Sequence, residues 1–284
     1  MELLHEIDPC RLAIASLPRE GRRVGLIPTM GALHDGHLSL IRAARKVCDA
    51  IAVSIFVNPT QFSPGEDYDS YPKTMAADLD ACRKEQVDVV FAPSVSMMYP
   101  DEADKTSVHV SGLTDGLCGA KRPGHFDGVT TVVNKLFNII PADVAFFGEK
   151  DYQQLMVIKQ MVGDLNMPIE IVGCPIVREQ DGLALSSRNA YLSHQQRERA
   201  RCLSQSLMAA SEQVASGVVE VAGLRDGIGD IILGAGVEEI DYIEIVDAVS
   251  LRPLPTIDRP ARICLAVRIG PCRLIDNVGV DVPM

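Results

Sequence analysis

Hydrophobic positions follow two alternating periods over the first 175 or so residues of this chain. Short continuous apolar runs at Val24–Ile27, Ile51–Val57, Val87–Phe91, Val144–Phe147 and Ile169–Cys174 predict buried strands. Between them lie segments with helical spacing. Gly36–Cys48 places Leu40, Ile41, Ala44, Val47 and Cys48 on one face, and Thr74–Glu85 is a second helix. Phe126–Ile140 aligns Val129, Val132, Val133, Leu136, Phe137 and Ile140, while Asp151–Leu165 aligns Leu155, Ile158, Val162 and Leu165. Strand–helix alternation of this kind predicts an α/β fold, a Rossmann-like doubly wound parallel sheet covered by helices on both faces. Ligands in such sheets sit beyond the carboxyl ends of the strands. The loops after Ile27, Val57 and Phe147 are therefore where chemistry is expected.

The alternation stops near Pro175. Ser193–Ser216 predicts a long polar-faced helix and Gly217–Leu233 a second one, with strands at Tyr242–Val246, Ile263–Ile269 and Arg273–Asp276. The expectation is two domains: residues 1–175, Rossmann-like, and a smaller C-terminal α+β domain over residues 176–284.

Composition narrows the function classes. With 284 residues, 47% of them hydrophobic and 23% charged, the chain can bury a substantial core as an ordinary globular protein. A net charge of -11 disfavours nucleic acid as a partner, yet a few cations in one cleft could still hold a small anion. The 8 cysteines form no C-x-x-C pair, which predicts buried, reduced thiols rather than disulfides or a zinc site. The start Met1-Glu2-Leu3-Leu4-His5-Glu6 lacks the basic and apolar regions of a signal peptide, and no apolar run reaches membrane-spanning length. A cytoplasmic protein without membrane contact is expected.

The first loop, Pro28-Thr29-Met30-Gly31-Ala32-Leu33-His34-Asp35-Gly36-His37, joins a strand to a helix start. Its glycines allow close backbone approach, and a helix N-terminus suits a phosphate. His34 and His37 can face the same ligand and donate to phosphate oxygens as charge develops. A metal pair is the competing reading, but no third ligand stands nearby in sequence. No G-x-x-x-x-G-K-[ST] phosphate loop occurs, so ATP would need another device. In the second loop Asn58 and Gln61 flank Pro59. Turn chemistry accounts for Asn58 and leaves Gln61 as a candidate for a polar substrate group. Lys121-Arg122-Pro123-Gly124-His125 clusters positive charge. Gly148-Glu149-Lys150-Asp151 again leads from a strand into a helix, with Lys150 suited to phosphate and Gln154 one turn on, although Lys150 could equally pair with Glu149 or Asp151. Ser186, Ser187 and Arg188 follow a glycine turn and could close over phosphates, or form an ordinary linker and cap.

Together the stretches PTMGALHDGH, VSIFVNPTQF, YPKT, VDVVFAPS, RPGHFDGV, FFGEKDYQQL and LALSSRNAYL resemble the pantothenate synthetase (pantoate–β-alanine ligase) family, in order and spacing. HDGH and LSSR look like the HIGH-type and KMSKS-type signatures of the nucleotidyl-transferase superfamily. The resemblance implies a ligase that joins pantoate to β-alanine through a pantoyl-adenylate, with Mg²⁺ carried on the phosphates of ATP and no protein metal site. It implies that Met30, Gly31, Ala32, Leu33, His34, Asp35, Gly36 and His37 contact ATP. Gly148, Glu149, Lys150, Asp151, Val177, Leu185, Ser186, Ser187 and Arg188 would do the same, and Gln61 and Gln154 would hold pantoate. His34, His37, Lys150 and Arg188 would act on the reacting phosphates. A homodimer is also implied. Two other readings remain at this point: adenylyl transfer onto a phosphate acceptor, and a non-catalytic ATP-binding regulator. The neutral amides of Gln61 and Gln154 argue against the first, and the paired imidazoles and cations against the second.

Overall fold

The computed structural model describes residues 1–17, 23–100, 106–237 and 239–283. The elements in chain order are β1 (Glu2–Leu4), α1 (Ile7–Ser16), β2 (Val24–Thr29), α2 (Asp35–Arg45), β3 (Ala50–Ile55), α3 (Met75–Lys84), β4 (Val89–Phe91), α4 (Val95–Met98), α5 (Leu117–Lys121) and α6 (His125–Ile139). They continue with β5 (Val144–Gly148), α7 (Tyr152–Asp164), β6 (Glu170–Cys174), α8 (His194–Ala200), α9 (Cys202–Ala215), α10 (Val221–Gly234), β7 (Glu239–Asp247), β8 (Ala261–Ile269) and β9 (Cys272–Val280). The chain forms two compact units. One holds Met1–Ser111, Arg122–Glu149 and Gln154–Pro175; the other holds Gly112–Lys121, Lys150–Gln153 and Ile176–Met284.

The first unit is built on a six-stranded sheet in the order β1-β4-β3-β2-β5-β6, parallel at every pairing. Successive strand residues point to opposite faces. Ile27, Ile51, Val53, Val90, Val144 and Phe146 pack against Leu40, Ile41 and Ala44 of α2 and Leu79 and Cys82 of α3. Their neighbours of opposite parity, Leu26, Ala52, Phe91 and Ala145, are equally buried. Both faces are thus covered, which is why these strands read as continuous apolar runs. The buried stripe of α6 is the expected one, and α6 packs on α1. The sequence pattern predicted neither β1 nor α1. Three residues, Glu-Leu-Leu, carry no period, and α1 buries only Cys10 and Ile14.

The second unit pairs β7, β8 and β9 as an antiparallel meander under α9 and α10. Leu203, Leu207, Leu224, Ile228 and Ile232 meet Ile245, Ile263, Leu265 and Val267 in its core. The single helix expected over Ser193–Ser216 is two, α8 and α9, divided at Arg201. In α8 (His-Gln-Gln-Arg-Glu-Arg-Ala) only Ala200 is buried, so it offers no apolar stripe to extend that of α9. All eight cysteines are buried and unbridged, and burial pushes the thiols of Cys10, Cys82 and Cys202 up to about 11. Among the described residues no helix is long and apolar enough to cross a membrane.

Candidate active site

Strand order turns back between β2 and β5. In an open parallel sheet that position forms a crevice at the carboxyl ends. Here the β2–β5 ladder pairs only Gly25 with Val144 and Leu26 with Ala145. Pro28, which has no N–H to give, lies just past the last pair. Beyond that pair the two strands run on to Thr29 and Gly148 without pairing with each other, and the loops that follow flank the opening.

The turn after β2 passes through two left-handed residues, Gly31 at φ 81° and Ala32 at φ 49°. A Cβ on Gly31 would lie 3.0 Å from Asp78 Oδ2 and 3.1 Å from Ile55 Cγ2, so glycine is required there. Ala32 has no such excuse, and its backbone costs about 1 kcal/mol or more unless neighbours hold it. They do. Asp78, on α3 and 2% exposed, accepts from the amide of Ala32 at 3.0 Å and that of Leu33 at 2.8 Å. Thr74 Oγ1 donates to the same carboxylate at 3.1 Å.

The amides that a helix N-terminus was expected to offer a phosphate are largely in use. Gly31 N–H donates to Thr29 Oγ1 and Gly36 N–H to His34 Nδ1, both at 3.2 Å. His34 N–H points at His37 Nδ1 at 3.4 Å, and His37 N–H donates to the His34 carbonyl at 2.8 Å. The two histidines form the reciprocal cap of α2, their rings 4.1 Å apart. Each Nδ1 is an acceptor in this arrangement, which places the proton of a neutral ring on Nε2. Both rings are half-buried, so the turn is not packed away from solvent. In that tautomer each imidazole carries its N–H donor at Nε2.

Gln61 stands beside this turn, its Nε2 3.1 Å from Met30 Sδ. Asn58, 1% exposed, caps the short 3₁₀ turn Pro59–Gln61 and donates to Gln61 Oε1 at 3.2 Å and to the Gly128 carbonyl at 3.1 Å. Tyr99 OH donates to Asn58 Oδ1 at 2.8 Å. Asn58 is thus spent on holding Gln61. The basic cluster of the sequence has a related task. Arg122 makes a forked pair with Glu66, at 2.7 and 2.6 Å, and reaches the Gln61 carbonyl at 3.3 Å. His125 Nδ1 donates to that carbonyl at 2.7 Å. Burial would raise the Glu66 carboxyl, but Arg122 outweighs it and holds Glu66 below the usual carboxylate range. Arg122 is therefore not a free positive charge, because Glu66 neutralises it.

Gly148 ends β5 and Glu149 begins the 3₁₀ turn Glu149–Asp151; both are half-buried, as is Gln154 on α7. The doubled glutamine divides its labour. Gln153, 6% exposed, accepts from Cys118 N–H at 2.9 Å and donates to the carbonyls of Leu113 at 2.8 Å and Gly116 at 2.9 Å. Gln154 makes no side-chain hydrogen bond among the described residues.

In the second unit Lys150 Nζ lies 3.8 Å from Asp151 Oδ1, a loose version of the surface pair weighed from sequence, and Asn277 Nδ2 donates to the Lys150 carbonyl at 2.9 Å. Leu185 N–H donates to the Val177 carbonyl at 3.0 Å, and Ser186 caps the 3₁₀ segment Ser187–Tyr191 that carries Arg188. Asn189 and Arg197 both bond Glu179, at 3.0 and 2.6 Å, which anchors this segment. The same unit has a cleft of about 1110 Å³ whose wall includes Arg225, Asp226, Asp230, Tyr242 and Glu244. Lys121, from the basic cluster of the sequence, also lines it. Among the described residues no three His, Cys, Asp or Glu side chains group as a metal cage.

A doubly wound parallel sheet whose reversal point is flanked by a left-handed turn, two imidazole donors and a strand-end glycine defines a nucleotide-binding α/β protein. The comparisons make this specific. The family model for pantoate-beta-alanine ligase matches residues 2–279, and the chain belongs to that family. It is 54% identical to the pantothenate synthetase of Heliobacterium modesticaldum over 282 residues, covering 99% of this chain and 100% of that relative. The crystal structure of pantothenate synthetase from Thermus thermophilus superposes with a TM-score of 0.92 at 45% identity, over 98% of this chain and 99% of that one. A pantoate-beta-alanine ligase from Francisella tularensis, complexed with beta-gamma ATP and beta-alanine, gives a TM-score of 0.82 at 36% identity, over 98% of this chain and 97% of that one.

Proposed function

We propose that this chain is an AMP-forming acid–amino acid ligase that condenses (R)-pantoate with β-alanine to give pantothenate. The observation that carries the reading is the His34–His37 pair at the sheet's reversal point, in a chain that matches the family along nearly its whole length. A pantoate carboxylate oxygen attacks the α-phosphorus of Mg-ATP, the bond to the β-phosphate oxygen breaks, and pyrophosphate leaves. The β-alanine amine then attacks the acyl carbon, AMP departs with its oxygen, and the amine loses a proton. The ion enters with the nucleotide, neutralises phosphate charge and needs no ligand from the chain.

Two anions must meet in the first step, so donors aimed at developing charge are the main contribution of the protein. Met30, Gly31, Ala32, Leu33, His34, Asp35, Gly36 and His37 form the ATP turn, with the Nε2–H groups of His34 and His37 on the phosphates. Gly148, Glu149, Lys150, Asp151 and Val177 hold the nucleotide, with Lys150 on a phosphate. Leu185, Ser186, Ser187 and Arg188 supply further phosphate contacts. Gln61 and Gln154 bind pantoate, and their neutral amides suit its hydroxyls better than a phosphate. The reading extends to a cytoplasmic homodimer; the unbridged buried thiols suit a reducing compartment.

ATP–pyrophosphate exchange, assayed with pantoate and without β-alanine, tests the function. Exchange that depends on pantoate is expected; exchange indifferent to pantoate, or none at all, removes the adenylate. Gln154→Ala should raise the pantoate KM about tenfold, the scale of one lost hydrogen bond, with the ATP KM within about twofold of wild type. Equal loss for both substrates would make Gln154 a structural residue.

A further inference from the structure

We propose that Asp78 is a positioning residue for ATP: its carboxylate holds the Gly31–Leu33 turn in the left-handed shape from which His34 and His37 reach the triphosphate. The assignment rests on the ligase reading above.

Asp78 lies on α3, in a segment that no sequence motif marked. Its side chain is buried, yet among the described residues its partners are two amides and a hydroxyl, none of them a cation. An ionised carboxylate taken out of water without a countercharge is costly. Packing of α3 does not ask for one, since Leu79 and Cys82 already supply its contacts with the core. What the carboxylate does instead is accept from Ala32 and Leu33, one oxygen to each. Ala32 is the residue in this turn whose side chain disfavours its backbone angle. Two charge-assisted bonds fix the peptide units on either side of the Ala32 Cα. His34 follows directly, and its Nδ1 is tied to Gly36 and its amide to His37. A shift of the turn is therefore passed to both rings. Thr74 Oγ1 completes the chain by holding the carboxylate in this orientation.

Asp78→Asn keeps the size of the side chain but sets an N–H donor against one of the two amides. The expected result is an ATP KM raised about tenfold or more, a lower saturating exchange rate, and a pantoate KM within about twofold of wild type. A purely structural role would lower the melting temperature and the folded yield while leaving the ATP KM of the folded fraction unchanged. Thr74→Val removes the supporting donor without touching the turn, and should raise the ATP KM about threefold. It decides the matter by itself if Asp78→Asn does not fold. An ATP KM within about twofold of wild type in every soluble variant, beside normal pantoate-dependent exchange in the wild type, overturns the role of Asp78 alone. Failure of the wild type to exchange overturns the ligase reading and this assignment with it.

Discussion

His37→Ala lowers the rate of pantoate-dependent pyrophosphate exchange by about 10²–10³, the loss found when one donor aimed at developing charge is removed. The geometry gives this expectation its direction. With loop amides occupied inside the unit, an imidazole N–H is the kind of donor that can be aimed at charge developing on a phosphate. Removing His37 also takes away the acceptor for the His34 amide, and with it one half of the reciprocal cap. A fall of less than about tenfold, roughly 1.4 kcal/mol, would place His37 outside the chemical step. Single-turnover measurement of adenylate formation separates that step from product release.

Gly128→Ala is expected to damage pantoate binding more than ATP binding. Alanine is ordinarily the better helix residue, by about 1 kcal/mol. At this position an added Cβ would lie 2.4 Å from the Thr60 carbonyl oxygen and 2.7 Å from the Gln61 nitrogen, both backbone atoms. Something must move, and overpacking of this kind costs about 1–3 kcal/mol. The segment that yields is the Pro59–Gln61 turn, because Asn58 also bonds the Gly128 carbonyl and holds Gln61 from there. The pantoate KM should rise about tenfold or more, with the ATP KM within about twofold, and the melting temperature should drop by several degrees. An unchanged pantoate KM in a folded variant would show that Gln61 does not depend on this contact.

How much was legible in advance follows from the reach of each interaction. Helices α2, α3, α6 and α7 and the buried strands from Val24 to Cys174 announced themselves because hydrophobic period is a local property, written within a dozen residues. The Pro28–His37 turn was legible for the same reason, since its glycines and histidines are contiguous. Asp78 was not. It stands 46 residues beyond Ala32 in the chain and carries no signal except that a charged residue occupies an otherwise inward position of α3. Arg122 misled, because clustered positive charge in sequence says nothing of a carboxylate 56 residues away. The break at Arg201 escaped because a polar helix and two short ones share the same local propensity.

By itself the sequence determined the alternation of strands and helices and which contiguous loops carry imidazole, lysine and amide groups, because both depend on neighbours along the chain. Only the tertiary structure decided the order of strands that opens the crevice between β2 and β5, and which donors remain for a ligand. It also decided which polar groups are consumed in holding others. Those outcomes depend on residues far apart in sequence meeting within hydrogen-bond distance, where each amide, carboxylate or guanidinium that finds a partner inside the fold is no longer available to substrate.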